Sequence, residues 1–394
     1  MSMKNIILVV MDSVRRDFFY NILQNIYDDF SELKDDFVKF TNCHSIYTET
    51  CTSHYTIFYG DYFNKSKNDN FPAQLKKLGF IPRSFCNGAI VVSYPAKDIV
   101  EKEIMNYRPF RDKIINDLGI EPEFNWKKRM FGQRFEDFFG AADDEERNIP
   151  KKWKNYIKIN RDNNNFIFLH FWNTHAIYGI NEYLEDKIVG KNYIDIGKEL
   201  ISRIKNGDLT LDFVRDIYSK RINELISIYI KDLINILKEN GIYDDSVIII
   251  TADHGEGLGE VGENYNEIFI NLYETIFKYY NLLRGKLESL PKIDRKYYFK
   301  WDHNTFYHGI HKCQKKIPLL IKFPNNEFGG KSIEAKVTLF DIIHTIDDLL
   351  GNKLDIKKNY GCSLYFLLKL GHGGRRKYKI RRKVKDLDSR KLGL

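Results

Sequence analysis

Apolar residues in this chain gather into a few β-branched runs without polar interruption, and each run ends in side chains capable of chemistry. Asn5 to Met11 (NIILVVM) ends at Asp12-Ser13. Asn165 to Trp172 (NFIFLHFW) ends at Asn173-Thr174-His175. Val247 to Thr251 leads into Asp253-His254. A run that does not alternate predicts a strand buried on both faces, as in a parallel sheet covered by helices. Shorter strand-like pieces lie at 37–40, 80–86 and 317–323, the last broken by Pro324. Between these pieces the period becomes helical. Residues 14–23 bring Val14, Phe18, Phe19 and Ile22 to one face. Residues 53–59 stop at Gly60, 71–79 stop at Gly79, and 338–350 stop at Gly351. The longest helical pattern, 211–240, repeats Tyr218, Ile222, Leu225, Ile226, Tyr229, Leu233 and Leu237 and ends at Asn240-Gly241. A last packed piece is expected at 360–369. Strands alternating with helices predict an α/β fold, with a doubly wound, mostly parallel central sheet flanked by helices.

Two segments depart from this rhythm. Residues 264–286 carry a helical aromatic pattern (Tyr265, Ile268, Phe269, Leu272, Tyr273, Ile276, Phe277, Tyr280) and read as part of a helical insertion over 264–300. Residues 97–160 are charged and aromatic, are broken at Pro109, Pro122 and Pro150, and suggest no chemistry.

Composition narrows the class. A chain of 394 residues, 43% hydrophobic, can bury a large core, and one domain over 1–370 accounts for the pattern. The five cysteines are scattered and form no CxxC pair, so neither a disulfide framework nor a zinc knuckle is expected. Ile6 to Val10 is too short for a secretion signal, and no apolar stretch is long enough to span a membrane. A cytoplasmic, reducing setting is the expectation. The net charge of +8 is concentrated in the basic tail 371–394. That tail reads as a solvated segment, or as an electrostatic arm for nucleic acid or anionic lipid.

Ligands of open α/β sheets bind beyond the carboxyl ends of the strands. Asp12, His175 and Asp253-His254 fall there, and Thr50 follows a short loop after residue 40. Each has an ordinary alternative. Asp12 can cap a helix, an Asp-His pair after a strand can be a solvated loop, and hydroxyls near position 50 can be caps. His170, inside an apolar run, reads as a core histidine rather than a ligand. Taken together, two carboxylates, an imidazole and a hydroxyl can complete one divalent-metal site. A basic histidine on the other side can then protonate a leaving oxygen.

In this order the segments resemble the alkaline phosphatase superfamily, and within it the sulfatase-like hydrolases. NIILVVMDSVRRD resembles the first strand and metal aspartate. TCTSHYTIFYG resembles the nucleophile segment (T-x-P-S-H or C-x-P-S-R, closed by Gly), which maps Thr50 to the nucleophile and Ser53-His54 to the S-H positions. FIFLHFWNTHAIY resembles the substrate-binding strand and maps His175. VIIITADHGEGLGE resembles the metal-binding strand. YHGIHKCQKKIPLLIKFP resembles the H-G segment and maps His308, and TLFDIIHTIDDLLG with YGCSL resembles the later helix and turn.

The resemblance implies an alkaline-phosphatase-like fold and one divalent ion (manganese, zinc, magnesium or calcium) held by Asp12, Thr50, Asp253 and His254. It implies Thr50, His175 and His308 as catalytic residues and His54 and Arg15 as substrate-side candidates. The departures matter. Thr50 cannot be oxidised to the formylglycine of sulfatases. Ser13, Asn173 and Val261 replace residues common in the family, which argues against a complete second metal site, with His175 and His308 as remnants of one; a single ion is the expectation and a second is less expected. The implied activity is hydrolysis of phosphate mono- or diesters, or phosphotransfer, through a Thr50 covalent intermediate. The substrate would be a small-molecule or a lipid- or polymer-linked ester. The alternatives are a sulfuric ester hydrolase, or a degenerate binding protein using its basic tail. Residues 264–300, tethered between His254 and His308, are expected to form a lid or wall, or else a helical pair packed on the body.

Overall fold

The computed structural model describes residues 3–48, 50–61, 71–86, 156–158, 160–171, 173–175, 183–186, 199–200, 202–204, 206–258, 312–356 and 360–370. His308, the 264–300 insertion and the basic tail lie outside the described residues. In chain order the elements are β1 (Asn5–Met11), α1 (Arg16–Ile26), α2 (Glu32–Asp35), β2 (Val38–Phe40), β3 (Cys43–His44), α3 (Thr50–Tyr59), α4 (Phe71–Lys77), β4 (Ile81–Cys86) and β5 (Asn165–Phe171). Then come α5 (Leu211–Glu224), a π-helical turn (Leu225–Ile230), α6 (Lys231–Glu239), β6 (Ser246–Ala252), α7 (Lys312–Lys315), β7 (Lys316–Ile317), β8 (Leu319–Lys322), β9 (Ser332–Ile333), β10 (Val337–Thr338), α8 (Phe340–Leu349) and α9 (Leu364–Lys369).

Seven strands form one sheet in the order β4-β5-β1-β6-β8-β2-β9, and β10-β3-β7 form a small second sheet. Strands β4, β5, β1 and β6 are mutually parallel, whereas β8 runs antiparallel to both β6 and β2. The sheet is therefore mostly parallel, as the unalternating runs require. Every residue of β1, β5 and β6 is buried. Burying an Ile or Leu side chain contributes about 1.5–3 kcal/mol, so these three strands form the stable centre. Helix α1 packs on α5, and α8 packs on α3 and α9.

One local surprise lies in the 211–240 pattern. The helix is real, with Thr210 capping it through a 3.1 Å bond from the Phe213 N–H. Its middle, however, widens into a π turn at Leu225–Ile230, which keeps Leu225, Ile226 and Ile230 buried. Likewise the 317–323 run is two short strands, split at Pro318, where proline has no N–H to donate.

Candidate active site

Strand β1 lies between β5 and β6, and Met11 is in register with both Phe171 and Ala252. The topology alone therefore brings Asp12 beside Asp253 and close to the segment 173–175. Asp12 N–H donates to the Phe171 carbonyl (2.8 Å), and Asp253 N–H donates to the Met11 carbonyl (3.3 Å). Thr174 Oγ1 donates to the Asp12 carbonyl at 2.5 Å, fixing the loop that carries His175. His175 itself is 8% exposed.

The two carboxylates are held by Ser13. Its φ of 57° is left-handed, a costly conformation for a residue with a Cβ. That geometry turns its N–H onto Asp253 Oδ1 (3.0 Å) and its Oγ–H onto Asp12 Oδ1 (2.6 Å). Tyr218, fully buried on α5, donates to the Ser13 carbonyl (2.7 Å) and accepts from the Arg15 N–H (2.9 Å). Thus one oxygen of each carboxylate is committed to Ser13.

Thr50 begins α3. Its Oγ1 donates to Asp12 Oδ2 at 3.1 Å and lies 3.4 Å from His254 Nε2. The tautomer of His254 is set from behind: Nδ1 sits 2.9 Å from the Gly255 carbonyl, which can only accept. The lone pair therefore rests on Nε2, which lies 3.5 Å from Asp253 Oδ2. Gly255 is required here, because a Cβ would overlap the Cys313 carbonyl.

Asp12, Asp253 and His254 offer ligand atoms within 4.8 Å of one another, all buried. Asp253 Oδ2 accepts no hydrogen bond among the described residues. A buried carboxylate oxygen without a donor is costly unless a cation lies beside it. The donor set therefore fits a divalent ion with mixed oxygen and nitrogen ligands, Thr50 Oγ1 being the fourth. Burial alone would raise the pKa of Asp253, but the rings of His254, His54 and His170 and the Ser13 N–H outweigh it and hold it lowered.

Arg15 is buried, but its guanidinium is engaged by Asp17 (2.6 and 3.0 Å) and sits over the Phe18 ring. His54 is fully buried, one turn beyond Thr50, with Nδ1 on the Thr50 carbonyl at 2.8 Å. Its ring meets His170 edge-on at 4.8 Å and packs on Phe58 and Phe168.

His170 is in the core by burial, as its apolar run implied. Yet its Nε2 is 3.6 Å from Asp12 Oδ2, so it also adjoins the site. Burial lowers its pKa to about 3, helped by the neighbouring His54. Sequence reasoning also passed over Ser13 as a clamp, Tyr218 and the fully buried Glu256. The available signal was small and held for Ser13 alone, a polar residue two positions past the end of β1.

A mostly parallel α/β sheet with acidic, imidazole and hydroxyl groups converging at the ends of adjacent strands is the alkaline-phosphatase-like arrangement that the order of the segments implied. The family model described as Sulfatase matches residues 4–352, and the chain belongs to that family. Two solved structures share the fold. One is the phosphonate monoester hydrolase SpPMH from Silicibacter pomeroyi, with 17% identity and a TM-score of 0.52 over 93% of this chain and 76% of that one. The other is the phosphonate monoester hydrolase of Agrobacterium radiobacter, with 15% identity and a TM-score of 0.54 over 94% and 78%. At such identities the likeness speaks to the fold. No curated protein matches the chain. Among the described residues no helix is long and apolar enough to cross a membrane.

Proposed function

We propose that this protein is a divalent-metal-dependent hydrolase, or transferase, of phosphate mono- or diesters that works through a covalent Thr50 ester. The observation that carries the reading is the Thr50 hydroxyl, 3.1 Å from Asp12 Oδ2 at the rim of the Asp12–Asp253–His254 cluster. A divalent ion there would lower the pKa of the Thr50 hydroxyl and offset charge on a tetrahedral anion. Asp12 Oδ2 accepts the hydroxyl hydrogen bond, aims Oγ1, takes its proton as the bond to phosphorus forms and returns it when the ester is cleaved. The Thr50 oxygen forms a bond to phosphorus as the bond to the leaving oxygen breaks, and His175, carried on the loop pinned by Thr174, is the assigned proton donor to that oxygen. Water or an acceptor alcohol then cleaves the threonyl ester and restores the Thr50 hydroxyl. His308 is a second assigned donor by resemblance. His54, in contrast, is withdrawn behind Thr50 and acts on its position rather than on substrate.

Threonine cannot yield formylglycine, which favours phosphoric over sulfuric esters. A degenerate binding protein would not need a complete ligand shell. The mixed shell favours manganese or zinc.

The test is a panel of aryl phosphate, phosphodiester and aryl sulfate substrates run with several divalent metals on wild type and Thr50→Ala. The expected result is phosphoester turnover that Thr50→Ala abolishes while part of the metal stays bound. Unchanged turnover in Thr50→Ala, or a preference for the sulfate, overturns the reading.

A further inference from the structure

Behind the shell just described, a second set of ligand atoms converges. His54, His170 and Asp253 bring nitrogen and carboxylate atoms within 4.8 Å of one another, and all three residues are buried. We propose that these residues hold a second divalent cation, inward of the Asp12–Thr50–Asp253–His254 shell and sharing Asp253 with it.

The tautomer of His54 is the first argument. Its Nδ1 must carry a proton, because it lies 2.8 Å from a carbonyl oxygen that can only accept. Nε2 therefore bears a lone pair, and among the described residues it has no hydrogen-bond partner. This is how a ligating histidine is prepared: one nitrogen donates to a backbone carbonyl so that the other is basic and correctly aimed. Here that carbonyl belongs to Thr50, so an ion on His54 would also brace the residue that bears the nucleophile.

Asp253 supplies the second argument. Its Oδ1 is occupied by the N–H groups of Ser13 (3.0 Å) and His254 (2.7 Å). Its Oδ2 accepts no hydrogen bond among the described residues. An imidazole nitrogen and a carboxylate oxygen within 4.8 Å of each other in a dry interior are spaced to take a cation between them. A carboxylate oxygen has lone pairs enough to serve ions on two sides.

The surroundings are those of a closed site. The His54 and His170 rings meet at 70°, and Phe58 and Phe168 close the layer behind them. Two imidazoles and one carboxylate favour zinc over the harder cations. The contrasting reading, a dry histidine pair packed against phenylalanines, requires no ion.

The full-length protein, loaded with zinc and freed of excess, decides between them. Metal analysis should give about two zinc ions per chain in wild type, and about one in His54→Phe and in His170→Phe. Phenylalanine keeps a ring in the aromatic layer, and circular dichroism checks that each variant folds. A map of anomalous scattering at the zinc edge, from wild-type crystals, needs no variant. It should show two peaks, the inner one about 2.1 Å from His54 Nε2. A single peak, confined to the outer shell, overturns the proposal, as does a stoichiometry unchanged in both phenylalanine variants. Although Asp253 is common to both sites, their failures are distinguishable. An inner peak with an empty outer shell would sink the Thr50 reading and leave this one standing.

Discussion

Strand β6 has a buried polar cluster at each end, and the two follow opposite rules. At its amino end Lys322, fully buried on β8, reaches over the strand entry. Its Nζ lies 2.5, 3.0 and 3.4 Å from the carbonyls of Tyr243, Asp244 and Ser246, and 4.4 Å from the Tyr243 ring centroid. An ammonium has three protons, and each has an acceptor. At the carboxyl end the balance is reversed: Asp253 Oδ2 and His54 Nε2 are acceptors without donors among the described residues. A saturated cluster needs nothing from outside and serves the fold. A cluster with surplus lone pairs calls for a cation, and it stands where an α/β sheet presents ligands. The same strand thus carries a saturated cluster at one end and, in the function proposed above, the chemistry at the other.

The largest expected effect tests the carboxyl end. Asp253→Asn removes the charge but keeps an oxygen for the Ser13 and His254 N–H groups. Turnover should fall at least about a thousandfold and bound metal should fall with it, while the urea midpoint of the metal-free protein moves little. At the amino end Lys322→Met should do the reverse. It removes the ammonium from the carbonyls of Tyr243, Asp244 and Ser246, of which Tyr243 and Asp244 keep the Ser246 and Asn325 N–H as donors, and should cost about 1 kcal/mol in urea unfolding, with turnover held within about twofold. Inactivation by Lys322→Met alongside tolerance of Asp253→Asn would abolish the distinction.

Acid and alkali separate the two ends without mutation. In the metal-free protein burial lowers the pKa of His54, and that of His170 from 6.5 to about 3. As pH falls below 6.5 the unfolded chain binds protons that the native histidines refuse, so stability is lost progressively on the acid side. Burial also lowers the pKa of Lys322 from 10.5 to about 8, against the opposing pull of Asp244, Asp36 and Asp245. Between those two values the unfolded chain again binds more protons, so stability should rise as pH rises through that window. Urea unfolding across pH measures both limbs. His170→Phe should flatten the acid limb and Lys322→Met the alkaline one.

Much of this was legible in the sequence because burial on both faces leaves an unmistakable mark. The cores of β1, β5 and β6, and the polar residues at their ends, are read directly from unalternating runs. The two-residue strands β3, β9 and β10 were not legible, since two residues hold no period. Nor was the π turn, because the apolar spacing of 211–240 survives it. Helix α3 starts at Thr50 rather than Ser53, which puts the nucleophile candidate inside the first turn instead of before it. Asp12, Thr50, Asp253 and His254 were found by resemblance, and the fold brings them together. The partnership of His54 with His170 was hidden. It joins a helix to a strand far away in sequence, and a run buried on both faces does not reveal that His170 points to the side covered by α3.

Ser13 gives the smallest and sharpest test, because its conformation and its hydroxyl can be separated. At φ 57° it is strained, and its Oγ clamps Asp12 Oδ1 at 2.6 Å. Ser13→Ala keeps the strain and loses the clamp, which should lower stability by about 1 kcal/mol. Ser13→Gly loses the same clamp but relieves about 1 kcal/mol or more of left-handed strain, so its stability should stay near wild type. Turnover should fall by the same factor in both, about tenfold, since both leave Asp12 Oδ1 without its hydroxyl donor. Urea unfolding should therefore separate the two variants while kcat/KM does not. If Ser13→Gly were as unstable as Ser13→Ala, the left-handed turn would not be a strained one, and the clamp alone would account for the serine.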